Sequence, residues 1–148
     1  MFRGSSSHML DPKGRITVPS RFRKTIQDGG ADAVMITCMD KCLWSYPLNE
    51  WSKIEEKIKA LGEKSTEMRR FRRTFIGDAF ECACDKQGRV LIPPAQRTYA
   101  ALEKEIVLVG VLDHFEIWSK DNWVNERQLM EEDMLKEEVR KEISRLGL

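Results

Sequence analysis

A nine-residue phrase occurs twice in this chain, as Asp11-Pro12-Lys13-Gly14-Arg15-Ile16-Thr17-Val18-Pro19 and again as Asp85-Lys86-Gln87-Gly88-Arg89-Val90-Leu91-Ile92-Pro93. A constant offset of 74 residues carries Asp11 onto Asp85, Gly14 onto Gly88, Arg15 onto Arg89 and Pro19 onto Pro93. The same offset, without a gap, carries Trp44-Ser45 onto Trp118-Ser119. A repeat of this kind means two copies of one supersecondary unit, each too small to bury a core by itself.

Each copy reads as strand, tight turn, strand, short helix, strand, strand. In the first, Ser6 to Leu10 has strand character, Asp11 to Gly14 turn character, and Arg15 to Val18 alternates like a second strand. Asp, Pro and Gly at the first, second and fourth turn positions predict a type I turn closed by a left-handed glycine. Pro19 stops the strand, and a helix from Ser20 to Ile26 puts Phe22 and Ile26 on one face. Ala33 to Thr37 and Cys42 to Tyr46 read as two further strands joined at Met39-Asp40-Lys41. The second copy repeats the plan with Phe80 to Cys84, Arg89 to Ile92, a helix from Pro94 to Ala100, Ile106 to Val111 and Phe115 to Trp118. Four short strands and one helix are not a self-sufficient core, so the two copies are expected to pair with each other.

Amphipathic helices surround the units. Trp51, Ile54, Ile58 and Leu61 form a stripe from near Asn49 to Gly62, and Met68, Phe71 and Phe75 form another that opens at Ser65. A tail helix is expected from Asp121 to Leu146, with the stripe of Leu135, Val139, Ile143 and Leu146. So little sequence remains to cover this tail that it is the best candidate for contact with a neighbouring subunit. The organisation expected is a first unit over 5–48, a helical linker over 49–76, a second unit over 77–120 and a C-terminal helix over 121–148.

Composition bounds the function classes. With 41% hydrophobic and 33% charged residues the chain reads as globular, and no run approaches the apolar length of a membrane span. Met1 to Ser5 lack the apolar centre of a signal peptide, so a cytoplasmic protein is expected. The net charge of +1 conceals an asymmetry: +2 over residues 1–50, +4 over 51–75, −2 over 76–120 and −3 over 121–148. A strong positive field must therefore come from the first half, or from several copies of it. Cys38, Cys42, Cys82 and Cys84 are spaced C-x3-C and C-x-C rather than as zinc-type pairs, which favours reduced cysteines in or beside strands and no metal. His8 and His114 are isolated in sequence, and neither a nucleophile triad nor a phosphate loop nor a zinc-protease motif occurs. No catalytic residue, cofactor or small-molecule substrate is expected.

Within the repeated phrase, turn chemistry accounts for Asp11, Gly14, Asp85 and Gly88: a short carboxylate accepts backbone N–H groups, and glycine takes positive φ without a Cβ clash. No turn rule asks for Arg15 after the glycine, or for Arg89 in the second copy. A guanidinium on a rigid hairpin can make bidentate contacts with phosphate or a guanine edge, and Lys13 or Lys86 adds a point charge. The competing reading is an exposed ion pair to the turn aspartate. Arg21, Arg23 and Lys24 could extend the cationic footprint. The basic run Arg69-Arg70 and Arg72-Arg73 is read as the wet side of a packing helix, and the four tryptophans as core or interface.

The tandem Asp-x-x-Gly-Arg units, the opening Met1-Phe2-Arg3-Gly4 and the phrase Leu43-Trp44-Ser45-Tyr46-Pro47 resemble the MraZ family of bacterial transcriptional regulators over nearly the whole chain. The resemblance implies an α+β fold with a mainly β core, in which two AbrB-like swapped-hairpin half-domains form a pseudo-twofold barrel carrying extra helices. It further implies a ring-shaped homo-oligomer, often octameric, in the cytoplasm and on the nucleoid, binding direct repeats in double-stranded promoter DNA of the division and cell-wall gene cluster and usually repressing it. Carried over by position, the DNA-contacting residues fall on Lys13 and Arg15, with Arg89 matching Arg15. Lys13 aligns with Gln87, leaving Lys86 as the nearest lysine, and Arg3 is a further candidate. An AbrB-like antitoxin or dimeric regulator, and a ring-forming protein scaffold, are the alternatives.

Overall fold

The computed structural model describes residues 1–62 and 65–148. Its strands are β1 (Ser5–Met9), β2 (Arg15–Thr17), β3 (Ala33–Met39), β4 (Cys42–Pro47), β5 (Phe80–Ala83), β6 (Arg89–Leu91), β7 (Glu105–Gly110) and β8 (Phe115–Ser119). Its helices are α1 (Ser20–Asp28), α2 (Leu48–Leu61), α3 (Thr66–Phe75), α4 (Pro94–Tyr99), α5 (Lys120–Met134) and α6 (Glu137–Ser144).

The strands make an antiparallel six-stranded sheet, ordered β1-β7-β8-β4-β3-β5, and a separate two-stranded ribbon, β2-β6. The order states the swap. β1 of the first copy lies against β7 of the second, β5 of the second lies against β3 of the first, and like meets like at β4-β8 and β2-β6. The hairpin expected over Ser6 to Val18 therefore closes only at its turn, where the Asp11 amide donates to the Arg15 carbonyl at 2.9 Å. Beyond it the strands part, because a lone two-stranded hairpin is marginal in water whereas each strand finds an apolar partner in the other unit.

Alternation along the strands gives the sheet two differently covered faces. On one, Val34, Ile36, Leu43, Ile106, Leu108, Phe115 and Ile117 are buried with Ile16 and Val90 of the ribbon and Phe22 and Ile26 of α1. Phe2, Phe22 and Phe115 meet there with all three ring centroids 5.2 Å apart. On the other face, Tyr46, Trp51, Ile58 and Phe75 pack with Met35, Met39 and Trp44, which seats α2 and α3. Cys42, Val107 and Trp118 continue this face toward Trp123 of α5. Asp40 and Lys41, at φ 55° and 65°, form the two-residue type I′ loop that matches the twist of β3 and β4.

The tail differs from the single helix expected over Asp121 to Leu146. It breaks at Lys136, whose φ of −72° and ψ of 133° leave the helical region, and Glu137 and Glu138 open α6 where its N-terminal dipole favours acids. Neither α5 nor α6 has a fully buried residue.

Candidate nucleic-acid interface

Both turns are built alike. The Asp11 carboxylate accepts from the amides of Lys13 (2.9 Å) and Arg15 (2.8 Å) through Oδ1, and from Arg15 Nε at 2.6 Å through Oδ2. Asp85 does the same for Gln87 (2.9 Å), the Arg89 amide (2.9 Å) and Arg89 Nε (2.8 Å). Gly14 and Gly88 close the turns at φ 86° and 76°. The amide of the following arginine, acting against a smaller opposing effect of desolvation, holds both carboxyls below the usual range, and the guanidinium adds to the same shift.

The ion pair to the turn aspartate, one of the two readings of Arg15 and Arg89, is present in both turns. Each guanidinium is paired with its turn aspartate, but only through Nε, and among the described residues no partner engages the terminal nitrogens of either. The aspartate fixes the side chain at its neck and leaves the fork available.

The ribbon register then sets the two arginines on one surface. Arg15 faces Leu91, Ile16 faces Val90 and Thr17 faces Arg89. With Ile16 and Val90 each 1% exposed, the opposite side of the ribbon carries Arg15, Thr17, Arg89 and Leu91. Each turn is tied to the other unit's strand, since Ile92 donates to the Gly14 carbonyl and Val18 to the Gly88 carbonyl, both at 2.9 Å. Lys13 and Lys86 are exposed on the turns at the two ends of this ribbon. A two-stranded ribbon has the dimensions to enter a major groove.

Other cations are placed differently. Arg3 follows Phe2, which bridges to Leu112, so it lies at the far end of β1 from the first turn. Arg21 stacks on the Phe22 ring with its Cζ 4.6 Å from the centroid. Arg23 is spent internally, on Asp32 at 2.7 Å and the Asp85 carbonyl at 3.0 Å. The basic run of α3 belongs to the helix packed on the opposite face of the sheet from the ribbon, so the two do not form one cationic surface.

Sequence reasoning passed over Arg97 of α4, whose guanidinium covers the first turn: a Cβ added to Gly14 would lie 2.5 Å from Arg97 Cζ. The signal was available, because the 74-residue offset carries Arg23 onto Arg97. His114, isolated in sequence, is wedged between the rings of Trp44 and Tyr46, with both centroid distances 4.7 Å, and bonds Asp113 at 2.7 Å. The cysteines divide between the two faces of the sheet, Cys38 and Cys82 on the ribbon side and Cys42 on the other. Burial pushes the Cys38 and Cys82 thiols up to about 11 and Cys84 up to about 12. Among the described residues no group of three acidic, histidine or cysteine side chains could hold a metal ion, and no helix is long and apolar enough to cross a membrane.

The family model "MraZ protein, putative antitoxin-like" matches residues 1–74 and again 75–145, with the seam at the period of the repeat. The chain belongs to the MraZ family. It is 62% identical over 148 residues, the full length of both chains, to the transcriptional regulator MraZ of Desulforapulum autotrophicum. The protein of the same name from Desulfosudis oleivorans is 56% identical, again over the full length of both chains, and that of Caldicellulosiruptor saccharolyticus 40% identical over the same extent. The two successive matches to the MraZ family model correspond to the two copies of the doubled motif.

Proposed function

We propose that this MraZ-family chain regulates transcription of the division and cell-wall gene cluster, usually as a repressor, by binding direct repeats in double-stranded promoter DNA. Lys13, Arg15, Lys86 and Arg89 are the residues assigned to DNA, with Arg3 an outlying contact, while Asp11, Gly14, Asp85 and Gly88 hold the turns. The observation that carries this reading is the outer side of the β2-β6 ribbon, where two arginines anchored at Nε have no partner at their terminal nitrogens among the described residues.

In this reading the two units, 5–48 and 77–120, close as a pseudo-twofold barrel, and the linker over 49–76 and tail over 121–148 serve packing and assembly. A single ribbon offers few phosphate contacts, so affinity comes from several identical ribbons on one rigid ring, with an octamer favoured. The exposed Val124, Leu129, Met134 and Leu135 of the tail supply apolar surface for that assembly. The protein works in the cytoplasm on the nucleoid and needs no catalytic residue, cofactor or metal.

A gel shift on the DNA upstream of its own gene tests the assignment. Arg15→Ala is expected to assemble normally and to lose at least about tenfold in operator affinity, the scale of one charge-assisted hydrogen bond. Operator binding as tight as wild type would overturn the role of Arg15. Solution mass separates the ring from a plain AbrB-like dimer; phosphate contacts predict affinity that falls steeply with salt, whereas the absence of any shift would favour a protein scaffold.

A further inference from the structure

We propose that Arg97 forms, with Lys13 and Arg15, a three-cation phosphate site around the first turn, for which the second turn has no equivalent. The inference rests on the DNA-binding reading above and adds a residue outside the repeated phrase. Arg97 and Arg23 occupy the same repeat position, and each reaches across to the other unit's turn: Arg23 to Gly88, where an added Cβ would lie 3.2 Å from its Nη1, and Arg97 to Gly14.

Their partners differ. Arg23 has its charge met by Asp32 Oδ2 at 2.7 Å, and its Nη2 also donates to the Asp85 carbonyl. The second unit has no acid at the matching place: the Asp32 carbonyl accepts from the Cys84 amide and the Lys104 carbonyl from the Leu10 amide, both at 2.8 Å, so Lys104 stands where the first unit has Asp32. Arg97 consequently donates only through Nε, to the Ile92 carbonyl at 3.0 Å, and no ion pair forms to it among the described residues. Its guanidinium lies over Gly14, the residue between Lys13 and Arg15, and among the described residues no hydrogen bond engages its terminal nitrogens. A planar fork held in place by its neck, with its charge intact, is preorganised for a phosphodiester oxygen.

A phosphate contact carries no base information and releases counterions, so it has a signature that a merely structural lid lacks. Fluorescence anisotropy of the intact protein on operator and scrambled duplexes, across a potassium chloride series, measures it. Arg97→Gln is expected to weaken both duplexes alike, by about tenfold, and to lower the slope of log affinity against log salt by about 0.9 per contacting copy. Arg23→Gln, already neutralised in the fold, is expected to leave the slope unchanged. Arg97→Met keeps the aliphatic stem over Gly14 and replaces the glutamine variant if that one unfolds. A folded Arg97 variant with the wild-type slope would overturn the proposal while leaving the DNA-binding reading standing. Wild-type protein that shows no salt-dependent binding would overturn both.

Discussion

At the scale of residues, the molecule turns on what the turn aspartate does with its two oxygens. One accepts two backbone amides and the other the guanidinium neck, so the same carboxylate shapes the loop and aims the cation. This predicts a defined pH response. The folded-state carboxyls of Asp11 and Asp85 bind protons less readily than in the unfolded chain, so their contribution is fully present above the ordinary carboxylate range and is lost as pH falls through the depressed folded values. Urea midpoints recorded from about pH 7 down to about pH 3 should fall less steeply for a doubly substituted Asp11→Asn, Asp85→Asn protein than for wild type. Parallel acid limbs would count against the turns as the source. Turn chemistry was legible in the sequence because it is local, spanning five residues. The loads on Gly14 and Gly88 were not, since Arg97 and Arg23 arrive from the other unit's helix.

At the scale of elements, Trp51, Ile54 and Ile58 of α2 and Phe71 and Phe75 of α3 pack as amphipathic stripes on a continuous apolar sheet face, whereas Leu61, expected in the α2 stripe, is 62% exposed at the end of the helix. Phe75 is 3% exposed and stacks on Trp51 at 5.4 Å and on Phe71 at 5.2 Å. Phe75→Ala should cost about 3–5 kcal/mol in urea unfolding. A loss below about 1 kcal/mol would mean that the helices contribute little to the fold. The tail resisted the same treatment. The pattern from Leu135 to Leu146 reads as a continuing helix, yet Lys136 interrupts the backbone, and with Val139 and Ile143 only half-buried and Leu135 and Leu146 exposed, little holds the stripe in register. Strand pairing was also invisible at this scale. Each strand's apolar alternation gives a face, but the choice between a local hairpin and a swapped partner depends on surfaces far along the chain, as in Ser5 against Val109 and Ile36 against Phe80.

At the scale of the whole molecule, the interleaved order makes the two halves mutually dependent. A fragment of residues 1–74 retains β3 and β4 but loses β7 beside β1, β6 beside β2 and β8 beside β4. It is expected to show a disordered far-ultraviolet circular dichroism spectrum as a monomer, and a cooperative monomeric unfolding transition would contradict the interdependence. The duplication, the turn geometry, the family and the two arginines that follow the glycines can all be read along the chain, because repeats and turn rules are written in neighbouring residues. It took the packing of the chain to show that these arginines share one side of a ribbon, that the densest basic run lies across the sheet from it, and that Arg23 is paired with Asp32 while Arg97 has no carboxylate partner among the described residues. The physical reason is that a cation's availability depends on which carboxylate the fold brings within about 4 Å of it, and that is a property of long-range packing rather than of spacing along the chain.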